Sequence, residues 1–218
     1  NACGAKIYGA GESTVVIEGV KSLSGCEHSV IPDRIAASTF LTAAAITGST
    51  LTVSKIIPEH IAPIIPILEE CGCRFDINKN SIKITSPKRL GRVKSVRTMP
   101  YPGFPTDAQA PVMAMTTLSD GTSIFVETIF ESRYKHVGEL LRLGANIKVE
   151  GRVAIVEGVS RLSGAPVEAA DLRGGAALVV AGLAAQGVTQ ISGLKHLDRG
   201  YESLEKSLAS LGADIKRI

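Results

Sequence analysis

Three runs of apolar and small residues recur along the chain, Ile35 to Thr47, Ala108 to Leu118 and Leu172 to Ala185, each preceded by an aspartate, Asp33, Asp107 or Asp171. None keeps a polar face at helical spacing, so as helices they are expected to be buried all round. A short strand-like stretch follows each run, at Thr50 to Ser54, Ser123 to Glu127 and Thr189 to Ser192. Next comes a helical stretch with a single apolar stripe. It is clearest in Tyr201 to Leu211, where Leu204, Leu208 and Leu211 share a face that Glu202, Glu205 and Lys206 avoid. Tyr134 to Leu143 is similar, whereas Pro63 and Pro66 confine the first equivalent to a helical first turn or break it. These helices meet Gly72, Gly144 and Gly212, expected as left-handed stops. Hairpin turns are expected near Asn78-Lys79-Asn80 and Glu150-Gly151.

Aligned on these glycines, the chain contains three units recurring at roughly 70 residues, longer than common solenoid repeats. The pattern predicts a mixed α/β (α+β) fold in which each unit supplies one buried helix, one surface helix and a sheet. The expected boundaries are residues 32–94, 95–164 and 165–218. Residues 1–31 read differently. Gly19-Val20-Lys21-Ser22-Leu23-Ser24-Gly25 repeats as Gly158-Val159-Ser160-Arg161-Leu162-Ser163-Gly164, and Gly4-Ala5-Lys6-Ile7 matches Gly144-Ala145-Asn146-Ile147. The opening residues are thus expected to be the closing hairpin of a preceding lobe, and the third unit to lack its return strand. On this reading the chain is part of a longer protein, and a strand from elsewhere completes the third unit.

Composition narrows the function. The chain has 218 residues, 44% hydrophobic and 21% charged, with a formal net charge of +3, too small for the basic footprint of a nucleic-acid binder. No apolar run reaches the roughly 18 residues of a membrane span, and no leader is visible at Asn1. Cys3, Cys26, Cys71 and Cys73 lack zinc-site spacing and are expected as free, partly buried thiols in a reducing compartment. His28, His60, His136 and His196 share no ligand spacing and read as surface or packing residues, so neither a metal nor another cofactor is expected.

The candidate chemistry lies where helices begin. Pro100-Tyr101-Pro102-Gly103-Phe104-Pro105 makes a stiff loop that delivers Asp107 to the front of the second apolar run. A carboxylate there either caps the helix or acts at its mouth, and Asp33 and Asp171 suit caps. Three helix starts brought together, with Arg34, Arg173 and Arg199 beside them, would attract an anion. Glu131 with Arg133, and Asp198 with Arg199, place an acid and an arginine at equivalent corners, readable as surface ion pairs or as anion-binding groups. Gly9-Ala10-Gly11 reads as a hairpin turn rather than a phosphate loop.

Four stretches carry a resemblance: Pro100 to Ala110, Glu127-Thr128-Ile129-Phe130-Glu131-Ser132-Arg133, Asp171-Leu172-Arg173 and His196-Leu197-Asp198-Arg199-Gly200-Tyr201-Glu202. Together they resemble the enolpyruvyl transferase family, in its branch acting on UDP-N-acetylglucosamine, over the whole chain and in order. The resemblance implies two lobes, each an inside-out α/β barrel of three units, with the active site between them and this chain the C-terminal half. It implies a cytoplasmic enzyme that begins peptidoglycan synthesis by transferring enolpyruvate from phosphoenolpyruvate to UDP-N-acetylglucosamine. By resemblance Asp107 is the catalytic base, Ile129 and Phe130 line the nucleotide-sugar site, and Arg199 grips phosphoenolpyruvate. Asp107, Arg133 and Arg173 also contact substrate, and the two arginines, with Asp171, Glu131, Asp33 and Arg34, belong to the charged surroundings that form when the lobes close. Ser132 stands where relatives often have Asn. A general acid on a mobile loop, with a substrate-binding Lys and Asn, would lie in the N-terminal lobe, so this chain alone is expected to be inactive. The alternatives are the sister reaction on shikimate 3-phosphate and a non-catalytic ligand-binding lobe.

Overall fold

The computed structural model describes all 218 residues, which form two compact units, Asn1–Pro32 and Asp33–Ile218. The first unit is an antiparallel hairpin of β1 (Lys6–Tyr8) and β2 (Val16–Glu18), with Ile7 opposite Ile17. Gly9-Ala10-Gly11 lies in the connection between these strands, as a turn. Cys3 and Cys26 are free thiols with their sulfurs 3.2 Å apart.

In the second unit the three apolar runs are helices: α1 (Arg34–Ile46), α3 (Thr106–Thr116) and α5 (Leu172–Ala184). All three pack on one another. After α1 come β3 (Thr50–Ser54), the short α2 (Ile65–Glu70), and the hairpin β4 (Arg74–Asn78) with β5 (Ser81–Thr85). β5 is the central strand, antiparallel to β3 and β4, and its register turns Ile82 and Ile84 into the core with no exposure. Next are β6 (Leu90–Gly91), β7 (Ser95–Arg97), α3, β8 (Ser119–Asp120), β9 (Thr122–Val126), α4 (Val137–Arg142) and the hairpin β10 (Asn146–Glu150) with β11 (Val153–Glu157). These build a sheet in the order β10-β11-β9-β7, while β6 pairs with β8 in parallel. The chain closes with β12 (Pro166–Glu168), α5, β13 (Gln190–Ser192) and α6 (Leu204–Ser210). β7–α3–β9 and β12–α5–β13 are both parallel crossovers in which the helix covers its strand pair.

Buried hydroxyls do not disturb the central helices, because they bond within them. Thr39 and Thr42 donate to carbonyls four residues back, and Thr116 and Thr117 to carbonyls three back. Gly72, Gly144 and Gly212 end α2, α4 and α6 with φ of 94°, 91° and 97°, the left-handed stop that their repetition suggests.

Two expectations change. The surface helices start later than their apolar stripes imply. Ser203 is left-handed at φ 47°, so α6 opens at Leu204, and Tyr201 turns inward to place its hydroxyl 2.8 Å from Thr39 Oγ1. Likewise Tyr134 lies ahead of α4 and donates to the carbonyls of Phe125 and Arg152. Nor is α5 buried all round. Its C-terminal end flanks an open groove of about 1220 Å³ lined by Phe40, Val179, Gln190, Leu208 and Ile215 among others. The third unit has only the parallel pair β12–β13 where the first two have antiparallel hairpins, so Leu183 and Ala184 stay half-buried.

Candidate functional site

Asp107 does not cap its helix. Asp33 does, accepting from the N–H groups of Ile35 at 2.7 Å and Ala36 at 3.1 Å, and so does Asp171, accepting from Gly174 at 2.7 Å. In α3 the cap position falls on Pro105, which offers no side-chain acceptor, and Asp107 is one residue inside the first turn. Its carboxylate is therefore free to face sideways. There it meets Arg133 Nη2 at 2.6 Å through Oδ1 and Arg173 Nη2 at 3.0 Å through Oδ2. The preceding loop is fixed by N–H bonds from Met99 to the Phe104 carbonyl and from Gly103 to that of Pro100, with the Phe104 ring buried.

The two arginines reach this point from different elements. Arg173 stands in the first turn of α5 and lies over the Tyr201 ring, its Cζ 5.8 Å from the centroid. Burial acts to lower its pKa, but Asp107 and Tyr201 more than offset this and hold it above the ordinary arginine value. Arg133 lies 5.2 Å over the Phe130 ring, and its Nε is buried without a partner. Arg34, at the start of α1, stacks 5.1 Å over the Tyr101 ring and has an unpartnered Nη1. The starts of α3 and α5 are thus joined by Asp107–Arg173, the start of α1 reaches the loop before α3 through Arg34–Tyr101, and Tyr201 bridges Arg173 to Thr39 farther along α1.

The acidic corners separate from their arginines. Glu131 is on the surface and faces Arg152 at 3.5 Å, so it does not reach the Asp107 cluster. Asp198 makes a two-point pair with Arg217 at 3.0 and 2.7 Å, which draws its pKa below the usual carboxylate value. Arg199, exposed at the end of a short 3-10 turn, is left beside it without that acid. Ile129 and Phe130 are 38% and 49% exposed, with Met99 and Tyr101 also open at 52% each, an apolar surface next to paired cations.

Glu127 and His136 escaped the sequence reading as site residues. Glu127 is buried and accepts four hydrogen bonds: on Oε1 from Thr98 Oγ1 (2.9 Å), Ile129 N (2.7 Å) and Phe130 N (3.1 Å), and on Oε2 from Thr106 Oγ1 (2.8 Å). A Glu at the end of an apolar strand was the available signal, since a carboxylate there must find donors. His136 is buried with neither ring nitrogen partnered, and Gly174 makes room for it, since a Cβ there would come within 3.0 Å of the His136 Cβ. Burial pushes its pKa down to about 4, against the pull of Asp171 and with the help of Arg133. From pH 6.5 down to about 4 the unfolded chain takes up a proton that the folded chain refuses, so stability rises with pH across this window. His136→Leu is expected to flatten that part of the profile, by roughly 3 kcal/mol at most, in urea unfolding at several pH values. An unchanged slope would assign the dependence to other groups.

The structure thus defines a mixed α/β protein with an arginine-bearing, partly apolar surface where three helices begin. The chain belongs to the EPSP synthase (3-phosphoshikimate 1-carboxyvinyltransferase) family, whose model matches residues 1–208. It is 55% identical over its whole length to UDP-N-acetylglucosamine 1-carboxyvinyltransferase 2 of Caldanaerobacter subterraneus subsp. tengcongensis, covering 52% of that protein. It is 52% identical to UDP-N-acetylglucosamine 1-carboxyvinyltransferase of Prochlorococcus marinus, covering 50%. The chain spans about half the length of the curated relatives it matches, their C-terminal half. Among solved structures, the enolpyruvyl transferase NikO from Streptomyces tendae superposes with a TM-score of 0.85 at 29% identity, over 99% of this chain and 52% of NikO. EPSP synthase from Acinetobacter baumannii shares the fold, with a TM-score of 0.72 at 19% identity over all of this chain and 53% of that one.

Proposed function

We propose that the polypeptide containing this chain transfers the enolpyruvyl group of phosphoenolpyruvate to the 3′-hydroxyl of UDP-N-acetylglucosamine, with release of phosphate, in the cytoplasmic synthesis of peptidoglycan. In this reading residues 32–218 are the second lobe, residues 1–31 close the first, and the N-terminal lobe supplies the opposite wall of the site. The observation that carries it is Asp107, an uncapped helix-start carboxylate held between Arg133 and Arg173 beside exposed Ile129 and Phe130. Asp107 takes the proton of the 3′-hydroxyl as that oxygen attacks C2 of phosphoenolpyruvate, and a group in the other lobe protonates C3. Collapse of the adduct breaks the C2–O bond to phosphate and returns the proton from C3. Ile129 and Phe130 line the nucleotide sugar. Arg199 binds the anion of phosphoenolpyruvate; Arg133 and Arg173 orient Asp107, and Asp33, Arg34 and Asp171 hold the helix starts around it. Glu131, which pairs with Arg152, takes no part in this cluster in our reading.

The sister reaction on shikimate 3-phosphate is the second reading, favoured by the description of the matching family. Relatives named for UDP-N-acetylglucosamine, at 50–55% identity across the whole chain, weigh against it when the EPSP synthase fold neighbours stand at 18–19%. Phosphate release by the full-length polypeptide, assayed with each acceptor, decides between them, and release with neither overturns both. Arg199→Ala is expected to weaken phosphoenolpyruvate about ten- to a hundredfold, the worth of a charge-assisted contact, and the nucleotide sugar far less. Equal weakening of both ligands in calorimetry would remove Arg199 from this role.

A further inference from the structure

Glu127 is a carboxylate with almost no exposure, and none of its four donors is a cation. Burying a charge in this way is costly unless it is hydrogen-bonded, and here three donors converge on Oε1 and one on Oε2. The donors belong to three separate pieces of chain. Thr98 follows β7, Ile129 and Phe130 form the exposed apolar segment after β9, and Thr106 is the first residue of α3. Thr98 extends the grip, since its hydroxyl accepts from Thr128 N at 2.8 Å and its carbonyl accepts from the Thr128 hydroxyl. On the far side, the Thr106 carbonyl accepts from Arg133 Nη2 at 3.4 Å, the nitrogen that also holds Asp107. A continuous hydrogen-bonded path therefore runs from the Ile129 and Phe130 amides through Glu127 to Thr106, and from there to Asp107 and Arg133. The carboxylate also lies at the positive end of α3, where its charge is favoured and where no side chain caps the helix.

We propose that Glu127 is a positioning residue that sets the nucleotide-sugar-lining segment and the carboxylate of Asp107 in one register. This rests on the transferase reading. Glu127 touches no substrate; its two oxygens serve different clients. Oε1 shapes residues 129–130, whereas Oε2 fixes the entry of α3. The clients can be cut separately: Thr106→Val removes only the link to α3, Glu127→Ala removes both, and Glu127→Gln keeps the shape. An amide oxygen can take the Oε1 contacts while the amide nitrogen donates to the Thr106 hydroxyl.

Two measurements test this. In the 218-residue chain, amide hydrogen exchange at Ile129 and Phe130 is expected to rise about tenfold or more in Glu127→Ala, the loss expected for bonds to a charged acceptor, and to stay near wild type in Thr106→Val. In the full-length polypeptide, Thr106→Val is expected to lower kcat about tenfold with the nucleotide-sugar KM within about twofold, and Thr106→Ser to restore it. Glu127→Ala is expected to lower kcat and raise that KM together, with Glu127→Gln intermediate. Should Glu127→Ala not fold, Glu127→Gln and Thr106→Val carry the test. Unchanged exchange at Ile129 and Phe130, loosening spread evenly over the chain, or wild-type kcat in Thr106→Val would each overturn the proposal. If the unmutated full-length polypeptide releases no phosphate, the transferase reading falls by itself, and the exchange data still decide whether Glu127 holds the segment.

Discussion

Purified as the 218-residue chain, the protein is expected to release no phosphate above background from phosphoenolpyruvate and UDP-N-acetylglucosamine. Everything the site contributes here lies on one wall. Asp107 can accept a proton, but both its oxygens are occupied by Arg133 and Arg173, and a sugar hydroxyl must be pressed against it to compete. In the proposed reading that pressing surface lies in the half of the relatives' length that this chain does not match. On that reading two effects are lost together: the proposed acid toward C3, worth about 10²–10⁴-fold, and the orientation of two substrates, which can be worth more. The product leaves no measurable turnover, although weak binding of either substrate can persist. Phosphate release proportional to chain concentration, and abolished by Asp107→Asn, would mean that one wall suffices.

What the sequence revealed and what it hid divide along physical lines. The buried helices were legible because a helix with no polar face has one solution, and their observed bounds differ from the apolar runs by two residues at most at either end. The left-handed stops were legible because only glycine takes that conformation freely. The surface helices were overextended because Tyr134 and Tyr201 fit an apolar stripe yet act through their hydroxyls, which tie distant carbonyls and Thr39. No periodicity reports that.

Within the site, Asp107, Arg133 and Arg173 were each identified, but their mutual pairing spans separations of 26 and 66 residues and follows from the packing of α3 against α5. The corner acids misled for the opposite reason. Glu131 and Asp198 sit next to arginines in the chain, but neighbouring side chains on a turn diverge, and each acid finds a more distant partner in Arg152 or Arg217. Glu127 was hidden because two of its donors lie 21 and 29 residues away, so its place at the end of an apolar strand hints that it needs donors without saying which.

Asp107→Asn in the full-length polypeptide is expected to lower kcat at least about a hundredfold. Because Asp107 is not a cap, this substitution acts on two guanidinium groups and not on the start of α3. Asn keeps an acceptor for one of them and leaves the other, 14–18% exposed in the native site, without its anion. Some stability is lost, on the order of 1–2 kcal/mol, since the carboxylate is itself partly solvated. The affinities move the other way. On the proposed reading, removing a negative charge from a phosphoenolpyruvate site leaves the field more positive, so this ligand should bind no more weakly, and the nucleotide sugar should be retained. The expected signature is a collapse in kcat with a phosphoenolpyruvate Kd that is unchanged or lower, and a modest fall in Tm. A residue that only held Arg133 and Arg173 in place would give the reverse, with weakened ligands and a kcat near wild type at saturation. Steady-state rates, calorimetric affinities and melting curves on this one variant therefore separate a base from a brace. A near-wild-type kcat would leave the proton of the 3′-hydroxyl to be taken by a different group.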